Sequence, residues 1–298
     1  MLWENILKYA HNKDRIYFAP CSDFYQVGIE YVRMPDRKDL YVCDSYEMHR
    51  LLSTRSLVKN RRIRNTKSTI RTAALFGNVN YGEGTCWQPL TQTVEEVQSI
   101  NKVLTNADYK TQLLLGSECT EKKLKQILTR PIGILHIATH GYYDYHEEDP
   151  MLASGLVLAG ANKGCVNDSI QPTGQDGDCI LSAGEIEKLN LNSTSMVVLS
   201  ACRSGIGQAS IDGVLGLQSA LKNAGAETIV LSLWNVDDKA TKILMKHFYD
   251  NFIKKNMSVQ KALLEAQKEV KQIDFINSQG QNVSGKLPQY WAAFICYE

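Results

Sequence analysis

The 298-residue chain has no long hydrophobic run and no marked excess of either charge. A membrane-spanning helix needs about 18 consecutive apolar residues, whereas the longest small and apolar stretch, residues 151–161, is interrupted by Ser and Gly. Glu4 and Asn5 interrupt the region that would be apolar in a signal peptide. The 33 basic and 32 acidic residues leave a net charge of +1, which gives no electrostatic reason to bind nucleic acid or an acidic membrane. We therefore expect a cytoplasmic protein without direct nucleic-acid or membrane partners.

Several common motifs are also missing. The chain has no G-x-x-x-x-G-K-[ST] phosphate loop, no full dinucleotide-binding glycine pattern and no G-x-S-x-G elbow. None of the eight cysteines forms a C-x-x-C pair, which argues against a zinc ribbon or a disulfide framework and favours reduced thiols. His136 and His140 lie in an apolar run that predicts a strand, where four residues span about 13 Å, too far for one metal ion. We expect no metal and no cofactor, with His136 as a core histidine.

The remaining pattern is that of an α/β protein with a mostly parallel sheet flanked by helices, because short apolar runs alternate with helical periodicity. The predicted strands are nearly all apolar, as in sheets buried on both faces: Ala73–Phe76, Gln112–Leu115, Gly133–Ala138, Met196–Ala201 and Thr228–Leu233. The predicted helices contain Val94–Ile100, Leu124–Leu128, Val214–Ala224, Leu244–Phe252 and Val259–Val270, with Ser258 as an N-cap and Gly225 as a C-terminal glycine.

Residues 1–66 differ from the rest, and we predict a small strand-rich N-terminal subdomain before a larger catalytic domain at 67–298. This subdomain is expected to contain a helix at 2–9 and extended segments near 16–19, 25–32 and 39–43. The basic run at 59–67 is the expected connector. A polar, glycine-rich loop at 160–179 is long enough to be functional or disordered.

Functional groups in an open parallel sheet gather at the carboxyl ends of the strands. There the third predicted strand delivers His140 and Gly141, and the fourth delivers Cys202. A neighbouring histidine can activate a thiol as a nucleophile and later protonate a leaving amine. The backbone N–H groups of Gly141 and Cys202 could stabilise an oxyanion. The structural alternative is a buried Cys202 and a hydrogen-bonded turn histidine.

The fifth predicted strand delivers Trp234, Asn235, Asp237 and Asp238 at the same edge. An aspartate in this position is ordinarily an N-cap for the following helix. The functional alternative is an acidic floor for a cationic substrate side chain, and one aspartate can cap while the other faces the cleft.

Five sequence blocks, taken together, carry a family resemblance: HIATHG (136–141), VVLSACRSG (197–205), DGVLGLQSALKNAGA (212–226), IVLSLWNVDDKAT (229–241) and YWAAFICYE (290–298). In this order they resemble the CHAT domain, a caspase-like cysteine peptidase related to separase and the gingipains. The N-terminal part, with RIYFAPCSDFYQVGIEYV and ALFGNVNY, is also similar. The resemblance covers nearly the whole chain.

The resemblance implies a His/Cys dyad of His140 and Cys202, with Gly141 in the oxyanion hole. Ser200 and the stretch Ser232–Asn235 would contact an extended substrate, the latter as an edge for an added strand. Asp238 lies near the position where separase-like relatives keep an acidic residue that binds an arginine side chain of the substrate. A cleft between Cys202, the 160–179 loop and Trp234 would then set selectivity.

The resemblance also implies a setting: an intracellular endopeptidase of bacterial defence or regulated cell death that cleaves one partner protein, such as a gasdermin-like effector. Many CHAT proteins carry tetratricopeptide repeats upstream, and this sequence has none, so such repeats would belong either to a separate sensor protein or to an upstream region that this sequence does not include. The 160–179 loop is expected to order before the dyad aligns. Two alternatives stay open, a catalytically silent caspase-like scaffold and transfer of the acyl group from Cys202 to an amine.

Overall fold

The computed structural model describes residues 3–10, 15–35, 37, 40–55, 57, 70–144, 146–164, 177–201, 207–210 and 213–298. The helices are α1 (Glu4–Leu7), α2 (Val42–Ser45), α3 (Gln92–Thr105), α4 (Glu121–Ile127), α5 (Ala183–Ile186), α6 (Leu217–Asn223), α7 (Asp238–Tyr249), α8 (Val259–Lys271) and α9 (Pro288–Trp291). Short 3-10 turns lie at Ser22–Gln26, Ile29–Tyr31 and Ala161–Gly164, and a π-helical turn at Asp250–Lys254 extends α7. No helix among these residues is long and apolar enough to cross a membrane.

The strands are β1 (Arg15–Phe18), β2 (Glu47–Arg50), β3 (Thr72–Val79), β4 (Lys110–Gly116), β5 (Ile134–Thr139), β6 (Gly141–Tyr143), β7 (Ser154–Val157), β8 (Ile180–Ser182), β9 (Met196–Ala201), β10 (Gly207–Ser210), β11 (Gly213–Gly216), β12 (Thr228–Ser232), β13 (Asp274–Ile276), β14 (Asn282–Ser284) and β15 (Phe294–Tyr297). Within the described ranges they form an eight-stranded central sheet in the order β1-β2-β15-β12-β9-β5-β3-β4, together with smaller sheets.

The centre of this sheet is parallel, and only the β12–β15 pairing is antiparallel. Every residue of β5 and β9 is buried, as expected for apolar strands covered on both faces. Helices α3, α7 and α8 pack in one layer and α5 packs on α6. The five predicted strands and the mixed α/β class with its mostly parallel sheet are confirmed, as are the caps at Ser258 and Gly225.

The predicted extended segment at 25–32 is wrong, and so is the end of the one predicted at 39–43. Residues 25–32 form 3-10 turns; Tyr41 is extended and bridges Arg33, but α2 begins at Val42. Aromatic side chains in the first segment make long-range hydrogen bonds instead of a strand ladder, as Tyr31 Oη donates to the Phe294 carbonyl at 2.8 Å. The Tyr41 amide donates to the Asp44 carboxylate at 2.9 Å, which starts the helix where a strand was expected.

The predicted helix at 214–224 begins later than expected. Gly213–Gly216 forms β11, which pairs antiparallel with β10, and α6 starts only at Leu217. Glycine at both ends of β11 disfavours helix through its backbone entropy. The Gly216 amide donates to Ser219 Oγ at 3.1 Å and so caps the shortened helix.

The N-terminal segment joins the central sheet through β1 and β2, since β2 pairs with β15. Arg50 of β2 is buried and makes a two-pronged ion pair with buried Glu30, at 2.9 Å through Nε and 2.6 Å through Nη2. The domain boundary predicted at 66/67 and the whole basic run at 59–67 lie outside the described residues. That boundary remains a prediction.

Candidate active site

The strand register places the two predicted catalytic positions at one edge of the sheet. Thr139 of β5 is the register partner of Ala201 of β9. These residues immediately precede His140 and Cys202. Parallel neighbours that end together deliver their next residues to the same edge. Cys202 itself lies outside the described residues, as do 203–206, so its contact with His140 remains a prediction.

His140 is oriented by a backbone carbonyl. Its Nε2 atom lies 2.7 Å from the carbonyl oxygen of Gln88. Because a carbonyl only accepts hydrogen bonds, Nε2 carries the proton and Nδ1 carries the lone pair of the neutral ring. Nothing in the sequence pointed to Gln88, since every residue has a carbonyl and only the fold decides where it points.

Two aromatic side chains enclose the His140 ring. The ring centres of Tyr81 and Trp87 lie 5.1 Å and 5.2 Å from that of His140. Tyr81 Oη accepts a hydrogen bond from the His140 amide at 3.2 Å and donates to Thr139 Oγ1 at 2.9 Å, because Thr139 gives its own proton to the Val157 carbonyl. Burial raises the pKa of Tyr81 to about 12, so its hydroxyl stays neutral. Sequence reasoning missed both aromatic residues.

Burial also lowers the pKa of His140, and the hydrogen bond to the Gln88 carbonyl offsets this in part. A base must be neutral, so catalysis through Nδ1 would be lost as pH falls through this lowered pKa. We therefore expect the acidic midpoint of kcat/KM on a peptide substrate to lie below pH 6.5, the ordinary histidine pKa. The pH–rate profile of the wild type measures this.

The control for that profile is the Asp238→Asn variant, because Asp238 is a carboxyl group near the site whose pKa is raised. If kcat/KM falls on the acidic side with a midpoint above pH 6.5 in both proteins, the assignment of His140 as the base is contradicted.

Gly141 begins β6, beside β7. The Val157 amide donates to the His140 carbonyl at 2.9 Å, which makes His140 and Val157 a hydrogen-bonded pair. Hydrogen-bonded and non-hydrogen-bonded pairs alternate in antiparallel strands, and Gly141 faces Leu156 in the next pair. The Gly141 N–H is therefore directed away from β7. This geometry is compatible with the oxyanion role predicted for it.

A pocket opens at the same sheet edge. Strand residues form one wall: Thr139, Ser200, Ala201, Ser232 and Phe294. Residues of α3, α7 and the turns before them form the other: Leu90, Thr93, Glu96, Val236, Asp238 and Thr241. Since Thr139 and Ala201 both line it, the pocket lies next to the positions of His140 and Cys202. Among the described residues that line it, the formally charged ones are Glu96 and Asp238.

The two adjacent aspartates have different environments. Asp237 is the N-cap of α7: its Oδ1 accepts from the amides of Lys239 and Ala240, both at 3.1 Å, and its Oδ2 accepts from Ser278 at 2.7 Å. Asp238 instead lines the pocket. Burial, Asp237 and Glu96 raise the Asp238 pKa, in that order of effect. Asp237 therefore caps the helix, and Asp238 is the aspartate that faces the pocket.

The other predicted substrate residues lie along the same edge. Ser200 and Ser232 line the pocket, and Ser232 Oγ donates to the Ala201 carbonyl at 2.6 Å. Trp234 is half-buried, with its indole N–H directed at the Gln289 carbonyl at 3.4 Å, and Asn235 is exposed. Ser232 and Ser200 therefore contribute to the pocket wall, whereas Trp234 and Asn235 are not among the residues that line it.

His136 is a core histidine, as expected. It is fully buried between Glu96, whose Oε1 lies 3.0 Å from Nε2, and Tyr249, whose hydroxyl lies 3.2 Å from Nδ1. This contact holds Glu96 in place at the pocket. In the described part of the chain, no three His, Cys, Asp or Glu side chains cluster in a way that could hold a metal ion.

The expectation of reduced thiols is confirmed for five of the eight cysteines and is wrong at Cys86. Cys21, Cys43, Cys119, Cys179 and Cys296 are free, whereas Cys86 is disulfide-bonded. Pairing depends on which side chains the fold brings together, and sequence spacing carries no signal for it.

The fold and this strand-end arrangement define a caspase-like α/β protein, and solved structures of that class are similar to it. The yeast (Saccharomyces cerevisiae) separase in complex with securin matches at a TM-score of 0.50 and 15% identity, covering 86% of this chain and 14% of that one. The Arg-specific cysteine proteinase gingipain R matches at a TM-score of 0.49 and 10% identity, covering 85% and 54%. Both are caspase-fold peptidases.

The profile of the CHAT domain matches residues 1–298, and the chain belongs to the CHAT family. The human tetratricopeptide repeat protein 28 is 25% identical over 256 residues, and the mouse protein of that name matches equally. The alignment covers 76% of this chain, which spans only 9% of the length of these curated relatives.

Proposed function

We propose that this CHAT domain is a cysteine endopeptidase with a dyad of His140 and Cys202. One observation carries the proposal: His140, at the end of β5, has Nε2 hydrogen-bonded to the Gln88 carbonyl, which leaves Nδ1 as a base beside the strand that leads to Cys202. The orientation of a base by a third group is characteristic of nucleophilic sites.

The proposed reaction has two stages. His140 Nδ1 takes the thiol proton of Cys202, and the sulfur attacks the scissile carbonyl carbon to give a tetrahedral oxyanion, with the Gly141 and Cys202 amides as its donors. The C–N bond breaks as His140 returns the proton to the leaving amine. Water, deprotonated by His140, then attacks the thioester, which releases the acid and restores the thiol.

We assign the pocket beside the dyad to the substrate side chain that precedes the cleaved bond. Asp238 and Glu96 line it, and burial together with the neighbouring carboxylates Asp237 and Glu96 raises the pKa of Asp238. A lysine or arginine side chain would supply a cation to pair with these carboxylates, and the hydroxyl of Thr241 would add a hydrogen bond. An apolar side chain would instead remove water from a carboxylate at a cost in binding free energy.

The backbone after β12, Ser232–Asn235, is the proposed edge for an extended substrate. Main-chain hydrogen bonds to an added strand give affinity that depends little on sequence, while the pocket selects one side chain. This division suits an enzyme that cleaves one site in a folded partner. We propose a cytoplasmic setting, in bacterial defence, with a gasdermin-like or other effector as the substrate and a separate repeat-containing sensor as the regulator.

The proposal is tested by a search for new protein N-termini after a lysate is incubated with the wild type or with Cys202→Ala. We expect new N-termini with the wild type only, each preceded in the parent protein by lysine or arginine. A Cys202→Ala protein that keeps every effect of the wild type would contradict the enzyme and favour the scaffold. Isopeptide-linked products instead of new N-termini would indicate acyl transfer to an amine.

A further inference from the structure

The segment at 81–88 contains the groups described above as contacting the ring and the backbone amide of His140. Tyr81 lies at its start, with its ring and its hydroxyl on His140. Trp87 and the Gln88 carbonyl lie at its end. The orientation of the histidine therefore depends on how both ends of this segment are held.

One side chain holds both ends. Asn162 is buried, with only 6% of its surface exposed, and lies in the 3-10 turn Ala161–Gly164. Its amide nitrogen Nδ2 donates to the carbonyls of Gly82 at 3.0 Å and Trp87 at 3.1 Å. Its Oδ1 accepts from the Trp87 amide at 2.9 Å. The backbone amide of Asn162 donates to the backbone carbonyl of Tyr81 at 2.8 Å.

These bonds use both amide hydrogens and the carbonyl oxygen of the side chain, so no other residue type of this size can replace them. Aspartate keeps the acceptor but loses both donors, and it would set a negative charge against two carbonyl oxygens. The segment also folds closely around Asn162, because a Cβ atom at Gly84 would lie 2.9 Å from the Asn162 Cβ.

We infer that Asn162 is a positioning residue for His140, which it orients by clamping the 81–88 segment so that the Gln88 carbonyl keeps the proton on Nε2. The effect of Asn162 on catalysis rests on the proposed peptidase function, whereas its effect on the orientation of the His140 ring is independent of that function.

The test compares Asn162→Asp with the wild type in the same redox buffer. Residues that orient a functional histidine typically contribute 10- to 100-fold, and a group misplaced by about 1 Å can cost 10²-fold. We expect kcat for a peptide substrate to fall by roughly 10- to 100-fold while KM stays within about twofold, because the pocket beside Asp238 does not include Asn162.

The second measurement is NMR of the imidazole nitrogens, with the His140 signals assigned by their loss in His140→Ala. In the wild type we expect one tautomer, protonated at Nε2. In Asn162→Asp we expect a mixture of tautomers or faster exchange of that proton. Should the wild type show no peptidase activity, the proposed function fails, and these signals alone decide the role of Asn162.

Two further variants separate positioning from general stability. Asn251→Ala removes another buried asparagine that donates to a backbone carbonyl, that of Ala262, and it is expected to leave kcat and the His140 signals unchanged. Gly84→Ala perturbs the same contact from within the 81–88 segment, because Gly84 has φ +143° and its added Cβ would lie 2.9 Å from the Asn162 Cβ. It should show the same changes in kcat and in the His140 signals as Asn162→Asp, and it serves as the test if Asn162→Asp does not fold.

Wild-type kcat and a single Nε2-protonated tautomer in folded Asn162→Asp would overturn the inference. The inference would also be overturned if Asn162→Asp lost no more kcat than Asn251→Ala, or if the His140 signals were unchanged in Gly84→Ala.

Discussion

Replacement of His140 with alanine is expected to lower kcat/KM for peptide cleavage by roughly 10³- to 10⁴-fold, the range lost when a general base of a nucleophilic site is removed. Without Nδ1, the thiol proton has no acceptor at the sheet edge and the leaving amine has no proton donor. Steady-state kinetics on a fluorogenic peptide measure the loss.

The matched control is His146→Ala. His146 is exposed on the connection between β6 and β7, and its backbone amide donates to Asp144 at 2.8 Å, a bond that alanine can still make. We expect wild-type kinetics from this variant. A His140→Ala protein that is folded and within tenfold of wild-type activity would show that the base lies elsewhere.

Replacement of Asp238 with asparagine is expected to lower kcat/KM for substrates with arginine or lysine before the cleaved bond by on the order of 10²-fold or more. Truncating one partner of a desolvated charge pair costs about 2–5 kcal/mol, and about 1.4 kcal/mol corresponds to tenfold. Substrates with leucine at that position should change little or improve, because a buried carboxylate no longer opposes them.

Asp237→Asn is the matched control, because it neutralises the adjacent carboxylate while asparagine remains a good N-cap. The amides of Lys239 and Ala240 keep their acceptor, so α7 should remain in place. We expect selectivity to stay at the wild-type ratio. Equal loss in both variants would assign the effect to the start of α7 and not to a cation in the pocket.

Prediction from sequence succeeded where local pattern and chemistry coincide. Apolar runs predicted the central strands because strands covered on both faces must be apolar throughout. Ser258 and Gly225 marked helix ends because capping is a local interaction. Prediction failed at 25–32, where tyrosines make hydrogen bonds to distant residues such as Phe294. It failed at Val42, where the Asp44 carboxylate accepts from the Tyr41 amide and a helix begins, and at Gly213–Gly216, which pairs with β10.

The candidate site divides in the same way. Residue type and position at a strand end were enough to select His140, Cys202 and the Asp237–Asp238 pair. They were not enough to tell which aspartate caps α7 and which lines the pocket. That distinction depends on the Ser278 amide, 41 positions along the chain, which donates to Asp237. Glu96 was missed because its helix contains two adjacent glutamates and only packing shows which one lines the pocket beside His136.

The sequence by itself thus determined the family, the order of the central strands along the chain and the residue types carried to their ends, since burial and backbone propensity act locally. Only the tertiary structure decided the partners of those residues. The Gln88 carbonyl, the Asn162 clamp and the carboxylate pair of the pocket consist of backbone atoms or of side chains far apart in the chain. Their roles follow from distance and direction in space, which no local pattern of amino acids contains.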